Sequence, residues 1–257
     1  MSKPLAVVTG GGSGIGRAIC RELHGRGYAI FAQSLGEAEL GEVRAELGSD
    51  VHTLALDLSR PGAASTLVEA LHTAGLEPDI LVNCAGLGVW GEHVELDAGR
   101  VETMLGVNVS ALTSLCGLLG REMKARGRGR ILNVASTASF QPLPHLAGYA
   151  ATKHYVVAFS RALAQELGPH GVHVSVVCPG TTRTPFLAAA GIDAKVDKVA
   201  ERFAMLPQEV AIRSVAGMLA GRRHIVPGGI NRVHYWVSRF MPACVMSSLW
   251  RRVWSRH

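Results

Sequence analysis

Leu5-Ala-Val-Val-Thr-Gly-Gly-Gly-Ser-Gly-Ile-Gly16, or LAVVTGGGSGIG, is the stretch on which the fold turns. Its first five residues carry no charge and no alternation, so a strand built from them must be covered on both faces, as strands of parallel sheets are. Gly10, Gly14 and Gly16 follow at once, and the pattern Gly16 to His24 sets Ile19 and Leu23 on one side of a helix. Glycines at a strand-to-helix turn permit tight backbone geometry. They also let a pyrophosphate approach the helix N-terminus, where free N–H groups and the dipole favour anions. A purely structural turn would share that spacing, so the weight of the motif comes from its position between strand and helix.

Outward from this loop, short β-branched runs alternate with helical patterns as far as residue 226. Strands are expected at Leu5 to Thr9, Tyr28 to Gln33, His52 to Leu56, Ile80 to Asn83, Arg130 to Ala135, Val172 to Cys178 and His224 to Val226. The order describes an α/β chain: a Rossmann-type doubly wound parallel sheet of about seven strands flanked by helices, with a C-terminal helical extension. Residues 1–228 read as one body and 229–257 as a basic amphipathic tail, with no Pro/Gly/Ser linker inside the body. The stretch from Pro179 to Leu206 is long for a connection and is expected to hold a mobile helix over a site.

Charge is divided unevenly. The chain of 257 residues has a formal charge of +6, yet no acidic residue follows Glu209, while eight arginines do. The basicity therefore belongs to one end, which argues against a nucleic-acid-binding body. Hydrophobic content of 48% against 18% charged excludes a disordered chain. No uninterrupted apolar run reaches the length of a bilayer span. The N-terminus lacks the pattern of a signal peptide, and five cysteines without a CxxC pair suit reduced thiols, so a cytoplasmic location is expected. The eleven histidines show no HExxH spacing, and no metal is expected.

Tyr149 and Lys153 stand four apart at the start of a helical pattern and share a face. Composition alone predicts about 0.08 such pairs, so the spacing is informative. A cation within about 4–6 Å lowers a phenol's pKa, which would bring Tyr149 towards proton exchange at neutral pH. Ser136, at the end of ILNVAS, could bond a substrate oxygen.

Thr9 to Gly16, Asp57-Leu58, Asn83-Cys84-Ala85-Gly86, Asn108, Ser136, Tyr149-x-x-x-Lys153 and Pro179-Gly180 together resemble the short-chain dehydrogenase/reductase family, in order, over residues 4 to about 226. The resemblance implies an NAD(P)-dependent oxidoreductase with Asn108, Ser136, Tyr149 and Lys153 as its catalytic tetrad. Tyr149 would exchange a proton with a carbonyl or alcohol oxygen that Ser136 polarises. Lys153 would hold the nicotinamide ribose, and Asn108 would hold a water. It also implies cofactor contacts from Gly10, Ser13, Gly14, Ile15, Gly16, Ser34, Asp57, Leu58, Asn83, Ala85, Gly86 and Thr184, and a homodimer or homotetramer. The alternative from another class is a catalytically idle nucleotide sensor or scaffold on the same fold.

Two positions depart from the pattern. Cys84 stands where the family commonly has Asn. After the second strand, where an acid would favour NAD(H) or a base NADP(H), stand Ser34 and Leu35. With Glu37 and Glu39 read as exposed first-turn residues, no carboxylate would repel a 2′-phosphate, and the pattern inclines to NADP(H) over NAD(H). Apolar residues beside the tetrad (Val89, Trp90, Phe140, Pro142, Leu143, Leu146, Phe186, Leu187) point to a lipophilic carbonyl or alcohol, or to plain packing.

In the tail, Val233, Trp236, Val237, Phe240 and Met241 recur at helical spacing, and a second stripe follows Pro242. With flanking arginines, such a tail suits packing on its own core, another subunit, or peripheral contact with an anionic membrane; no nucleic acid is expected.

Overall fold

The computed structural model describes residues 3–192 and 204–241. Within them the seven expected strands form one sheet: β1 (Leu5–Thr9), β2 (Ala29–Ser34), β3 (Val51–Ala55), β4 (Pro78–Asn83), β5 (Gly129–Val134), β6 (Val172–Val177) and β7 (His224–Ile225). Their order is β3-β2-β1-β4-β5-β6-β7, and every pairing is parallel.

The uniform apolarity of β1 follows from its two covers. Ala6 and Val8 join Ile30, Ala32, Ile80, Val82 and Leu132 in one core. That face is closed by α1 (Gly14–Gly25), α2 (Glu37–Leu47) and α8 (Pro207–Leu219), through Ile19, Leu23, Leu40 and Val215. Leu5 and Val7 join Phe31, Leu81 and Ile131 in the other core. There the covers are α3 (Ala63–Thr73), α5 (Leu112–Arg126) and α6 (Ala147–Leu167), through Leu67, Leu119 and Val156. Side chains alternate across a strand, so a sheet with two covers needs apolar residues at every position.

Between the covers runs one polar seam. Asn83 Nδ2 donates to Asn133 Oδ1 at 2.9 Å, and Asn133 Nδ2 donates to Ser160 Oγ at 2.9 Å, tying β4 and β5 to α6.

A continuous rod, Ala98–Arg126, joins α4 (Ala98–Leu105) to α5 through a π-helical segment, Gly106–Ala111. It is long and apolar enough to cross a membrane, but Leu112, Leu115, Cys116, Leu119 and Met123 are buried in the core. Of the helix expected between Pro179 and Leu206, the structure shows α7 (Phe186–Ala189), a single turn; residues 193–203 lie outside the described residues. Arg183 N donating to Met205 O, and Met205 N to Thr181 O, clasp the two ends of the segment. The chain then reaches α9 (Gly229–Phe240), the first of the expected tail helices. The stripe after Pro242, with Cys244, lies outside the described residues.

Candidate functional site

Strand order reverses between β1 and β4, the position at which open α/β sheets leave a crevice at their C-terminal edge. The loops after those strands meet there. Thr9 Oγ1 accepts the backbone N–H groups of Cys84 and Ala85, both at 3.1 Å, and so fixes the gap between the two turns. Gly10 and Gly14 have φ of +65° and +52°. A Cβ on Gly16 would lie 2.7 Å from the Gly10 carbonyl carbon and closer still to its oxygen, so the loop closes only on glycine. Gln33, to which the sequence assigned no role, accepts from Gly10 N at 3.3 Å and donates to Leu56 O at 2.7 Å. Ser13 is the exposed N-cap residue of α1, Ile15 opens the first turn, and Thr184 stands across the loop with its methyl 3.1 Å from the Cβ position of Gly14. This hollow fits a dinucleotide: a bare glycine backbone at a helix N-terminus, walled by small side chains.

At the end of β2 the geometry adds a contact that the sequence does not show. Glu39 is exposed, as expected, but its carboxylate turns back and accepts a hydrogen bond from Ser34 Oγ at 2.8 Å. The pair flanks the loop, since a Cβ on Gly12 would come 2.7 Å from both Ser34 Oγ and Glu39 Oε2. The inclination to NADP(H) assumed a free serine hydroxyl and no acid at the strand end. The hydroxyl is engaged, and an acid is present. Asp57 accepts from Ser59 N and Ser59 Oγ at 2.9 and 2.6 Å, bonds that hold its carboxyl below the usual range, while Leu58 is buried. The Asn83 side chain belongs to the buried seam, which leaves its backbone rather than its amide for the crevice. Burial raises the Cys84 thiol to about 12, leaving it an uncharged small side chain.

The four tetrad positions come together from three elements. Asn108 lies in the π-helical segment, a deviation that re-aims a side chain within a helix. Its Oδ1 accepts from Leu87 N at 3.0 Å, and its Nδ2 donates to Leu87 O at 2.9 Å and Thr152 Oγ1 at 3.1 Å. Thr152 has no sequence signal beyond its place one helical turn after Tyr149. Ser136, following β5, caps a short 3-10 turn by accepting from Ala138 N at 3.1 Å, and its side chain acts on the Tyr149 phenol in the direction that lowers its pKa. On α6, Lys153 Nζ donates to Val134 O at 3.0 Å and lies 3.3 Å from the Cβ position of Gly86.

Burial, rather than charge, dominates both titrating groups. Tyr149 is pushed up to about 12 by desolvation, against which its hydrogen bond with Ser136 works. Lys153 Nζ is 5.7 Å from the tyrosine ring centroid, and burial lowers its own pKa to about 8. The expected lowering of the phenol by Lys153 is therefore overturned by burial. Both shifts affect stability, with opposite signs. Tyr149 sits above its free value of about 10, so its contribution is complete below pH ~10 and is lost as pH rises from ~10 to ~12. Lys153 sits below its free value of about 10.4, so its contribution is present above pH ~10.4 and is lost as pH falls to ~8. The melting temperature of the cofactor-free protein, relative to Lys153→Met, is expected to rise between pH 8 and 10. A difference that stays flat across that window would disprove the burial-driven shift.

A family model described as short chain dehydrogenase matches residues 4–195. The chain belongs to the short-chain dehydrogenase family. The probable oxidoreductase EphD of Mycobacterium tuberculosis is 30% identical over 268 residues; the match covers 97% of this chain but 45% of the relative, so the chain spans about half that protein's length. Among solved structures, a short-chain dehydrogenase from Sphingobium yanoikuyae in complex with NADPH superposes with a TM-score of 0.81 at 27% identity, covering 93% of this chain and 96% of that one. A 3-ketoacyl-(acyl-carrier-protein) reductase from Brucella melitensis complexed with NADH reaches 0.77 at 29% identity, covering 87% and 96%. Both of these solved relatives carry a nicotinamide dinucleotide.

In this member of the family an apolar wall stands beside Tyr149. Val89, Met104, Leu143 and Leu146 form a buried cluster with it, and Leu87, Trp90 and Phe186 pack on the outside. The Phe186 ring centroid lies 5.3 Å from that of Tyr149, and Trp90 stacks on His145 at 5.4 Å. Two expected lining residues are elsewhere. Phe140 packs against His224 and Tyr235, and Pro142 borders an apolar recess of about 390 Å³ that reaches Leu143 and Ala150 of the wall.

Proposed function

We propose that the dehydrogenase transfers a hydride between a nicotinamide dinucleotide and a lipophilic ketone or its secondary alcohol, with Tyr149 as general acid or base. The observation that carries this reading is the convergence of Ser136, Tyr149 and Lys153 beside the glycine hollow, next to an apolar wall. Ser136 and Tyr149 present two hydroxyls to one carbonyl oxygen. A phenol with a pKa near 12 is protonated at neutral pH, so in reduction it stands ready to donate. Lys153 has three N–H donors and spends one on Val134 O, which leaves donors for ribose hydroxyls. Both N–H groups of the Asn108 amide are engaged with Leu87 and Thr152, so a water it holds would donate to one of its oxygens. The bound cofactor supplies or accepts the hydride; the chain supplies orientation, proton and a dry wall. The Brucella relative's name, a ketoacyl reductase, fits a carbonyl on an apolar chain.

On the cofactor we read a preference for NAD(H), reversing the sequence-based inclination. A carboxylate 2.8 Å from Ser34 Oγ is suited to ribose hydroxyls and repels a 2′-phosphate. One experiment tests both halves: a panel of lipophilic and small polar ketones, run with NADH and NADPH on the wild type and on Glu39→Gln. The wild type should reduce the lipophilic members with NADH. Glu39→Gln, which keeps the hydrogen bond but removes the charge, should gain on the order of tenfold in kcat/KM for NADPH, an exposed charge being screened. Small polar ketones outpacing every lipophilic one would refute the substrate class, and an unchanged cofactor ratio would refute the role of Glu39.

A further inference from the structure

Helix α9 sits on the body the wrong way round. Its half-buried side is polar or aromatic: Asn231 Nδ2 donates to Pro227 O at 2.7 Å, His234 Nε2 bonds Gln141 Oε1 at 3.0 Å, and Tyr235 rests 4.9 Å from both Phe140 and His224, ring to ring. Its apolar residues Ile230, Val233, Trp236, Val237 and Phe240 face outward, Phe240 at 79% and Ile230 at 67% exposed. At 100° per residue they fill one stripe about 120° wide, with Arg232 and Arg239 together along its Trp236 edge. Among the described residues nothing covers this stripe, so the packing on the protein's own core that the sequence allows is not what α9 shows. An outward apolar stripe on a helix so firmly seated is an adhesive surface.

We propose that this face of α9 lies on an anionic membrane surface, its apolar stripe in the headgroup–acyl boundary and its arginines on lipid phosphates. Charge selects this occupant over a second copy of the chain. Neither Arg232 nor Arg239 has a carboxylate partner among the described residues, and the last 48 residues contain eight arginines and no acid. A two-fold pairing of α9 with its copy would bring like charges together along the seam with nothing to neutralise them. Anionic lipid supplies both the apolar depth and the negative charge, and Trp236 is a residue type suited to that boundary. An enzyme held this way would meet lipophilic carbonyl compounds where they partition; that link rests on the proposed substrate class, whereas the docking itself does not.

The test is flotation of the full-length protein with vesicles of phosphatidylcholine alone or mixed with phosphatidylglycerol, at low and high salt. Sedimentation analysis and thermal melting accompany it. The wild type should float with the anionic vesicles at low salt, detach at high salt and ignore neutral ones. Arg232→Glu and Arg239→Glu should each weaken binding by about fivefold or more. Phe240→Glu should weaken it at least tenfold, with melting temperature and turnover of a water-soluble ketone unchanged. Three results overturn the proposal: no flotation on anionic vesicles; flotation that neither the arginine nor the Phe240 variant reduces; or a dimer, without vesicle binding, that Phe240→Glu dissociates. The last would give the face to a second copy. Failure of ketone turnover in the wild type would instead count against the proposed function and leave the flotation result standing.

Discussion

Tyr149→Phe should lower the rate of ketone reduction about a thousandfold while leaving cofactor affinity within about threefold of the wild type. The substitution removes one oxygen. Its ring keeps its place against Phe186, 5.3 Å away, and among Val89, Leu143 and Leu146, so the wall and the glycine hollow stay intact. What disappears is the phenol at the junction of the crevice and the apolar wall, together with its interaction with Ser136. Positioned proton transfer typically contributes about 10²–10⁴ in rate, which sets the scale of the loss. Stability should change little: one net hydrogen bond is worth about 1 kcal/mol, or about 2–4 °C in a chain of this size. Stopped-flow or steady-state reduction, paired with cofactor titration by fluorescence, separates the two effects. Unchanged turnover would sink the role of Tyr149 and favour the idle sensor or scaffold that shares this fold.

Gly16→Ala should abolish detectable cofactor binding and lower the melting temperature by about 6–12 °C. Propensity alone points the other way, because alanine inside a helix is favoured over glycine by up to about 1 kcal/mol. Here the added methyl would drive into the Gly10 carbonyl at the innermost turn of the loop, and Gly10 cannot retreat. A Cβ on Gly10 itself would already lie 2.9 Å from Ala85, which shows how closely the two loops are stacked. Overpacking against backbone costs about 3 kcal/mol, at about 2–4 °C per kcal/mol. Gly25→Ala, at the far end of α1 with nothing within 4 Å of its Cβ position, is the control and should be neutral or slightly stabilising. Equal effects at the two positions would mean that the loop adapts and that the closeness of approach is not what glycine is there for.

The parallel sheet, the glycine turn and the Tyr149/Lys153 face were legible in the sequence because each rests on a local period or a local steric rule. Apolar runs without alternation require two covers, three glycines at a strand end require a tight turn, and residues four apart on a helix share a face. Asn83 was less legible: its motif placed it on the crevice, but its amide was needed in the seam with Asn133 and Ser160, a demand set by strands far apart in the chain. Glu39 is the exposed first-turn residue its sequence position implies, but its bond to Ser34 was not legible, because it depends on which way that side chain folds over the glycine loop. Asn108 could be named, but the π-helical segment that aims it could not.

The sequence by itself determined the fold class, the family resemblance and the identities of the chemical groups, since these follow from pattern and residue type. Only the tertiary structure decided the sign of the Tyr149 shift, the acid beside Ser34 and the outward apolar face of α9. Each of these is a balance between burial and a competing interaction. Spacing shows which groups share a side of an element, but burial depends on what the rest of the chain brings against that side.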